Sequence, residues 1–376
     1  MDGLADCALI RHFSPLEDPR IDRQKKHMLI DVVVIAICAT LCGGTSFEDF
    51  EDFGLEKIAW LKTFLDLRNG IPSHDTFNRV FARIKPQKFL ECFISWMTDV
   101  VQACGDDVIA IDGKALRRSF DRAKKQSPIY MVSAFAAANG VTLGQIKVDE
   151  KSNEITAVPK LLDLLAIRGC IVTMDAMGCQ RDTCQKVLDE GADYCIALKG
   201  NQGTLHEDVQ SFVEIIAPTA AKPGPFLTYK TNDTGHGRIE TRQCFITSEI
   251  DAIQDVHDWP GLTSIGVIKS VRIVNGEASY EDRYFICSFA ADAEKFARTV
   301  RSHWAVENDL HWRLDVVMGE DLSRVRKDHA AENLAAVRRA ALNMLRREPT
   351  EKSVPRKQKK CALNEAYLAQ VLSGRV

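Results

Sequence analysis

Val108-Ile109-Ala110-Ile111-Asp112-Gly113-Lys114 and Cys170-Ile171-Val172-Thr173-Met174-Asp175 are built alike, each a short apolar run that closes on an aspartate. Runs of this length read as buried strands. An acid at the end of such a strand either caps a turn or, if buried, must be neutralised, paired or bound to a metal. Two of them in one sheet point to a shared site. A third acid, Glu307, falls in the stripe Phe296, Val300, Trp304, Leu310 and Leu314, whose spacing is helical and whose face should turn inward. The plainer reading of Glu307 is a structural ion pair with His303, His311 or a nearby arginine. Three carboxylates converging on one cavity would repel one another unless a cation joined them. Strand-end Asp, strand-end Asp and helix-borne Glu, in that order, are the parts of a two-metal phosphoryl-transfer centre.

Around the first aspartate the pattern is that of a three-stranded meander: 108–116, 129–138 and 141–148, the last two joined by Asn139-Gly140, a strong short hairpin signal. A helix over 154–167, a strand over 170–174, a helix over 181–190 and a strand over 194–198 follow. Three antiparallel strands and then helix-strand-helix-strand predict a mixed sheet with helices on its faces, the order of an α/β, RNase H-like fold.

Residues 1–105 read as an all-helical domain, with segments 31–41, 47–65, 73–84 and 87–103 separated by Gly43-Gly44, Gly70-Ile71-Pro72 and Lys85-Pro86. The first part of the catalytic core then occupies 106–221. Four β-type runs at 226–230, 239–247, 263–274 and 279–288 suggest a β-rich insertion over 222–290. A long helix over 292–318 carrying Glu307 and another over 330–347 complete the core within 291–350, and 351–376 read as a basic tail.

The composition is that of a globular protein: 376 residues with 45% hydrophobic content leave room for two or three domains. A formal net charge of -3 excludes an overall basic field, so a nucleic-acid partner would need local patches. From residue 320 onward there are thirteen Lys and Arg against seven Asp and Glu, whereas 1–105 hold twelve against fifteen. The twelve cysteines are scattered without zinc spacing, which fits reduced thiols and a cytoplasmic location. The longest apolar stretch, 28–42, is interrupted by Asp31 and shorter than the roughly 20 residues of a membrane span, so it reads as a buried helix and no membrane association is expected.

Several motifs together resemble one family. Asp112-Gly113-Lys114-Ala115-Leu116-Arg117-Arg118-Ser119, Lys151-Ser152-Asn153-Glu154-Ile155, Asp175-Ala176-Met177-Gly178-Cys179-Gln180 and Ala197-Leu198-Lys199-Gly200-Asn201-Gln202 are similar to insertion-sequence transposases of the ISAs type, the group of H-repeat-associated proteins. His303-Trp304-Ala305-Val306-Glu307-Asn308, Leu310-His311-Trp312, Leu314-Asp315-Val316, Glu320-Asp321 and Asn333-Leu334 continue the pattern. With Gly70-Ile71-Pro72-Ser73 and His236-Gly237-Arg238 the resemblance spans nearly the whole chain. It implies a DDE recombinase in which Asp112, Asp175 and Glu307 bind two Mg²⁺ or Mn²⁺ ions per active site, with Asp112 bridging. DNA, both transposon ends and target, is the implied partner, and a homodimer the implied form when synapsed on DNA. Relatives with a β insertion surround the Glu with a Tyr, an Arg and a Lys. Here Val300, His303, Arg313 and Leu314 occupy those offsets, leaving His303, Arg313 and Arg301 as substitutes.

Candidate DNA contacts are Lys114, Arg117, Arg118, Arg122, Lys124 and Lys125 after the first Asp, Lys199 and Gln202 after the last core strand, and His236 and Arg238 in the insertion, with the basic tail. For each charged run the plainer reading is a solvated face. Trp259 could stack on an extruded base or, more simply, anchor a turn of the insertion. Among the acids of the C-terminal region, Glu320 follows a helix-terminating glycine and is expected to be exposed, while Glu332 starts a helix where an acid suits the dipole. An inactive or domesticated DNA-binding derivative, or a nuclease without strand transfer, would carry the same motifs.

Overall fold

The computed structural model describes the chain except residues 1–3, 5–6, 22–24, 101–106, 121–126, 149–152, 217–218, 220, 236, 255 and 375–376. The N-terminal region is helical: α1 (Ala8–Phe13), α2 (Leu29–Leu41), α3 (Phe47–Glu56), α4 (Ile58–Leu61), α5 (His74–Arg83) and α6 (Pro86–Val100). Helix α3 starts at a capping box in which Ser46 and Asp49 satisfy each other's backbone N–H groups. Helix α2 is buried on nearly every side, as its unbroken apolar run requires.

The sheet begins with β1 (Val108–Leu116), β2 (Ile129–Ala136) and β3 (Val141–Lys147). The β2–β3 turn needs glycine: Gly140 has φ +65°, and a Cβ there would run into the Arg346 guanidinium. Next come α7 (Glu154–Leu162), β4 (Ile171–Met174), α8 (Arg181–Asp189), β5 (Asp193–Leu198) and α9 (Gly203–Ile216), the last not anticipated from sequence. Strand order 3-2-1-4-5, with β1, β4 and β5 parallel and β2 and β3 antiparallel, is the expected RNase H-like arrangement.

Strands β6 (Leu227–Gly235), β7 (Arg238–Thr247), β8 (Ser264–Val274) and β9 (Glu277–Cys287) form the β-rich segment. They extend the same sheet: β9 pairs antiparallel with β5, and the full order is β3-β2-β1-β4-β5-β9-β8-β7-β6. The free edge of β5 would otherwise present unpaired backbone groups. The β8–β9 hairpin closes on Asn275-Gly276, with φ of 52° and 85°.

The single helix expected over 292–318 is broken. Helix α10 (Ala293–His303) passes into a π-helical segment, Val306–His311, and then α11 (Trp312–Val316). Helix α12 (Ala330–Arg347) packs on the sheet face that carries Leu116, Ile129 and Met131, contacting it through Ala331 and Ala335. On its other side α12 meets α2 and α5, so the N-terminal helices share one core with the sheet. Residues expected as a basic tail form α13 (Val354–Leu363) and α14 (Glu365–Ser373), and Lys357 is buried there, donating to the Leu345 carbonyl at 2.9 Å and paired with Glu348 at 3.2 Å.

Candidate active site

The two aspartates lie side by side. In the parallel β1–β4 register Val108 faces Ile171 and Ala110 faces Thr173, so Asp112 and Asp175 follow at matching positions. Asp112 lies midway along β1, just beyond its parallel pairing with β4, and Asp175 directly follows the last residue of β4. Asp112 keeps 22% of its side chain exposed and meets His311 Nδ1 at 3.4 Å. Burial pushes its carboxyl up to about 7, a Gly113 backbone hydrogen bond partly opposes this, and the charges of Glu154, Asp175 and Glu307 add to the rise. Asp175 caps the turn after β4, its Oδ1 accepting from the Met177 N–H at 2.9 Å.

Glu307 does not point into the core as its stripe predicted. The π turn gives the buried positions to Val306 and Leu310 and leaves Glu307 exposed, where it lines a cavity of about 490 Å³ together with Asp175, Lys199, His303 and Trp304. Asp112 is not part of that cavity's wall, though the Glu307 charge reaches it. A wider turn of this kind recurs at functional sites in helices.

His303 Nδ1 lies 3.0 Å from Thr173 Oγ1, and burial holds its pKa at about 4. His311 is likewise held at about 4 by burial, with Arg339 and Lys114 contributing. Both imidazoles are therefore neutral at physiological pH, and the His311–Asp112 contact is not an ion pair.

The expected DNA contacts fall into separate groups. Arg117, Arg118 and Lys199 are exposed, Lys199 at the cavity and Arg117 3.3 Å from Asp321. Arg301 reaches Asp233 at 3.4 Å, Arg238 reaches Glu240 at 3.7 Å, and Arg313 pairs with Asp309 at 2.9 Å. His236, Arg122, Lys124 and Lys125 lie outside the described residues. Gln202 donates to the Cys179 carbonyl at 2.7 Å and Asn201 to the Ala176 carbonyl at 2.7 Å, so the loop after β5 is tied to the turn after Asp175.

Two expectations are corrected by burial. Lys114 is 9% exposed and its Nζ contacts Asp315 at 2.6 Å, Glu320 at 3.2 Å and Asp321 at 3.2 Å, so it is an internal charge rather than a groove contact. Trp259 is 4% exposed, in the core with the Arg181 guanidinium 5.6 Å from its ring, so of its two readings burial favours the anchor over the stacking platform. Glu320, expected at the surface, is 2% exposed: burial alone would raise its pKa, but Arg339 and Lys114 hold it at about 2.

Glu154 escaped a role in the sequence. It stands at the start of α7, hydrogen-bonded to Tyr130, and burial raises its pKa, with Asp175 adding repulsion. A Cβ on Gly113 would overlap both the Glu154 carboxylate and the Tyr130 ring, which explains the glycine after Asp112. The signal available was Asn153-Glu154 directly after the third strand. In donor chemistry these acids suit a hard divalent cation such as Mg²⁺ or Mn²⁺. Among the described residues no three His, Cys, Asp or Glu side chains are gathered closely enough to form a ready coordination shell.

Comparison with known proteins bears on the family of the chain. The model of the transposase DDE domain matches residues 103–344, and the model described as DDE_Tnp_1-associated matches residues 10–97. The "H repeat-associated putative transposase YhhI" of Escherichia coli (strain K12) is 42% identical over 372 residues, covering 97% of this chain and 98% of the relative. The "Putative transposase YncI" of Escherichia coli O157:H7 is 41% identical over 372 residues, covering 98% and 95%. Among solved structures, the cryo-EM structure of the piggyBac transposase synaptic complex with hairpin DNA aligns with a TM-score of 0.43 at 10% identity, over 98% of this chain and 78% of that one. A domain match from before β1 into the last turn of α12, with relatives alike over almost their full length, shows that the chain belongs to the DDE transposase family.

Proposed function

We propose that this transposase-family chain cleaves DNA at transposon ends and joins the freed 3′ ends to target DNA by metal-dependent in-line phosphoryl transfer. The observation that carries the reading is the β1–β4 register, which sets Asp112 level with Asp175 on adjacent parallel strands, with Glu307 lining the cavity beside Asp175. These three carboxylates would hold two Mg²⁺ or Mn²⁺ ions. When bound, such ions lower the pKa of a water or a DNA 3′-hydroxyl and stabilise the leaving 3′-oxygen.

The chain's own groups do the rest. His303 and His311, neutral at physiological pH, add no positive charge that would repel a cation. Lys199 on the cavity and the exposed Arg117 and Arg118 are placed to meet phosphates, with Arg301, Arg313 and Arg238 further out. The partner is DNA, engaged by a homodimer at synapsis, in the cytoplasm. No observation favours an inactive derivative, since all three acids are present.

The decisive experiment incubates the full chain with DNA carrying the terminal inverted repeats of its element and a target plasmid in Mg²⁺. Nicked ends and joined products are expected, with neither in EDTA nor from Asp112→Asn. Products formed at the wild-type rate without divalent metal would overturn the mechanism, and nicks without joining would reduce it to a nuclease.

A further inference from the structure

Two buried cations stand on the same sheet face as Asp112. Lys114 follows it by two residues on β1, so both side chains leave the strand on one side. Arg339, wholly buried on α12, places Nε 3.3 Å from the hydroxyl of Ser133, the residue paired with Asp112 across the β1–β2 ladder. His311 stands between, touching Asp112 while the charges of Arg339 and Lys114 reach its ring.

Glu320 engages both cations. Its Oε2 meets Lys114 Nζ at 3.2 Å and its Oε1 meets Arg339 Nη1 at 2.9 Å. Asp315 and Asp321 also reach Lys114, but among the described residues Arg339 has otherwise the Ser133 hydroxyl and the Ala335 carbonyl at 3.2 Å, and its Nη2 finds no partner there. A guanidinium cannot shed its proton to escape burial, so it takes whatever carboxylate is within reach. Asp315 and Asp321 stay with Lys114, so loss of Glu320 would leave Arg339 without a carboxylate beside Ser133, whose ladder partner is Asp112.

We propose that Glu320 is a positioning residue: by holding Lys114 and Arg339 it keeps Asp112 free to take a divalent cation. The inference rests on the reading of Asp112 as a metal ligand. It makes Glu320 a determinant of metal affinity although it touches neither metal nor DNA, in the way that groups supporting metal ligands commonly act.

The test is Mn²⁺ binding by the full chain without DNA, followed by calorimetry or by the Mn²⁺ electron paramagnetic resonance signal. Asp112→Asn should weaken binding, establishing the site. Glu320→Gln should weaken it by about tenfold, the lower end of such supporting effects, while unfolding stays cooperative. Adding Arg339→Met to Glu320→Gln should recover affinity by more than Arg339→Met does alone, a coupling that a merely structural role would not give. If Glu320→Gln does not fold, Glu320→Asp, which keeps the charge but withdraws it by one carbon, should show a smaller loss with the same rescue. Wild-type affinity in the Glu320 variant, or no rescue beyond additivity, overturns the proposal and leaves the metal reading intact. Unchanged binding by Asp112→Asn overturns the metal reading, and the proposal with it.

Discussion

The hydrogen bond between His303 and Thr173, 3.0 Å long, ties the helix that leads into Glu307 to the strand that ends at Asp175. Thr173 is buried two residues before Asp175, and His303 lies four residues before Glu307 on the final turn of α10. The contact joins the parts of the chain that contribute two of the acids, so its loss should disturb their spacing. Replacing Thr173 by Val should cost about 1 kcal/mol of stability, the worth of one neutral hydrogen bond and its unpaired partner. DNA cleavage should fall more steeply, by about tenfold, because misplaced ligands are costly in catalysis. Thermal unfolding beside single-turnover nicking separates the two, and unchanged nicking would show that the contact does not align the site.

Glu307→Gln and Asp175→Asn should each abolish nicking in Mg²⁺ without loss of DNA binding or fold, because each removes one charge and little volume. Glu332→Gln, at the start of α12, should retain activity. Gel-resolved nicking with a parallel binding assay checks this, and residual wild-type nicking by Glu307→Gln would move the third acid elsewhere.

Metal-free stability should depend on pH through Asp112. Its carboxyl is raised in the folded chain to about 7 from an ordinary 3.8. Protonation therefore favours the folded state fully below 3.8, and this contribution is lost as pH rises to about 7. Asp112→Asn lacks that loss, so at pH 8 without metal it should melt above the wild type, while below pH 4 the two should converge. Saturating Mn²⁺ at pH 8 should stabilise the wild type more than the variant, and melting curves across this range decide.

Gly113→Ala should be damaging although alanine suits a strand. Its methyl group would strike the Glu154 carboxylate and the Tyr130 ring, and overpacking of this kind costs about 1–3 kcal/mol. Glu154→Gln, by contrast, removes one of several mutually repelling acids and should leave metal-free stability equal or higher. Denaturant unfolding of both variants distinguishes them.

Arg238→Ala should weaken binding to end DNA and lower the slope of log affinity against log salt by about one unit if Arg238 contacts a phosphate. Arg238 is exposed at the start of β7, 3.7 Å from Glu240 and with its charge reaching Asp233, so little stability should be lost. An unchanged slope would place this end of β6–β9 away from DNA.

Much of the architecture was legible because it rests on local patterns. The runs ending in Asp112 and Asp175 are apolar enough to be strands in any context, Asn139-Gly140 forces a hairpin, and the order of elements then leaves the RNase H-like sheet as the natural assembly. The family followed from motifs at spacings no single pattern would produce. Periodicity failed around Glu307, since an ideal helical phase assumes regular turns and the π segment shifts it, turning Glu307 to the cavity rather than the core.

What sequence alone determined, then, is which segments are strands and helices and which acids close them, because hydrophobic period and turn chemistry act over a few neighbours. Burial of charge depended on partners far along the chain. Lys114 was read as a DNA contact and Glu320 as a surface acid, yet they meet across 206 residues and are buried together with Arg339. Trp259 had two readings, a stacking platform or a core anchor, and only the fold that closes over it decided for the second. An ion is stable inside only where the tertiary structure brings its counter-ion, and that pairing is invisible to any local reading.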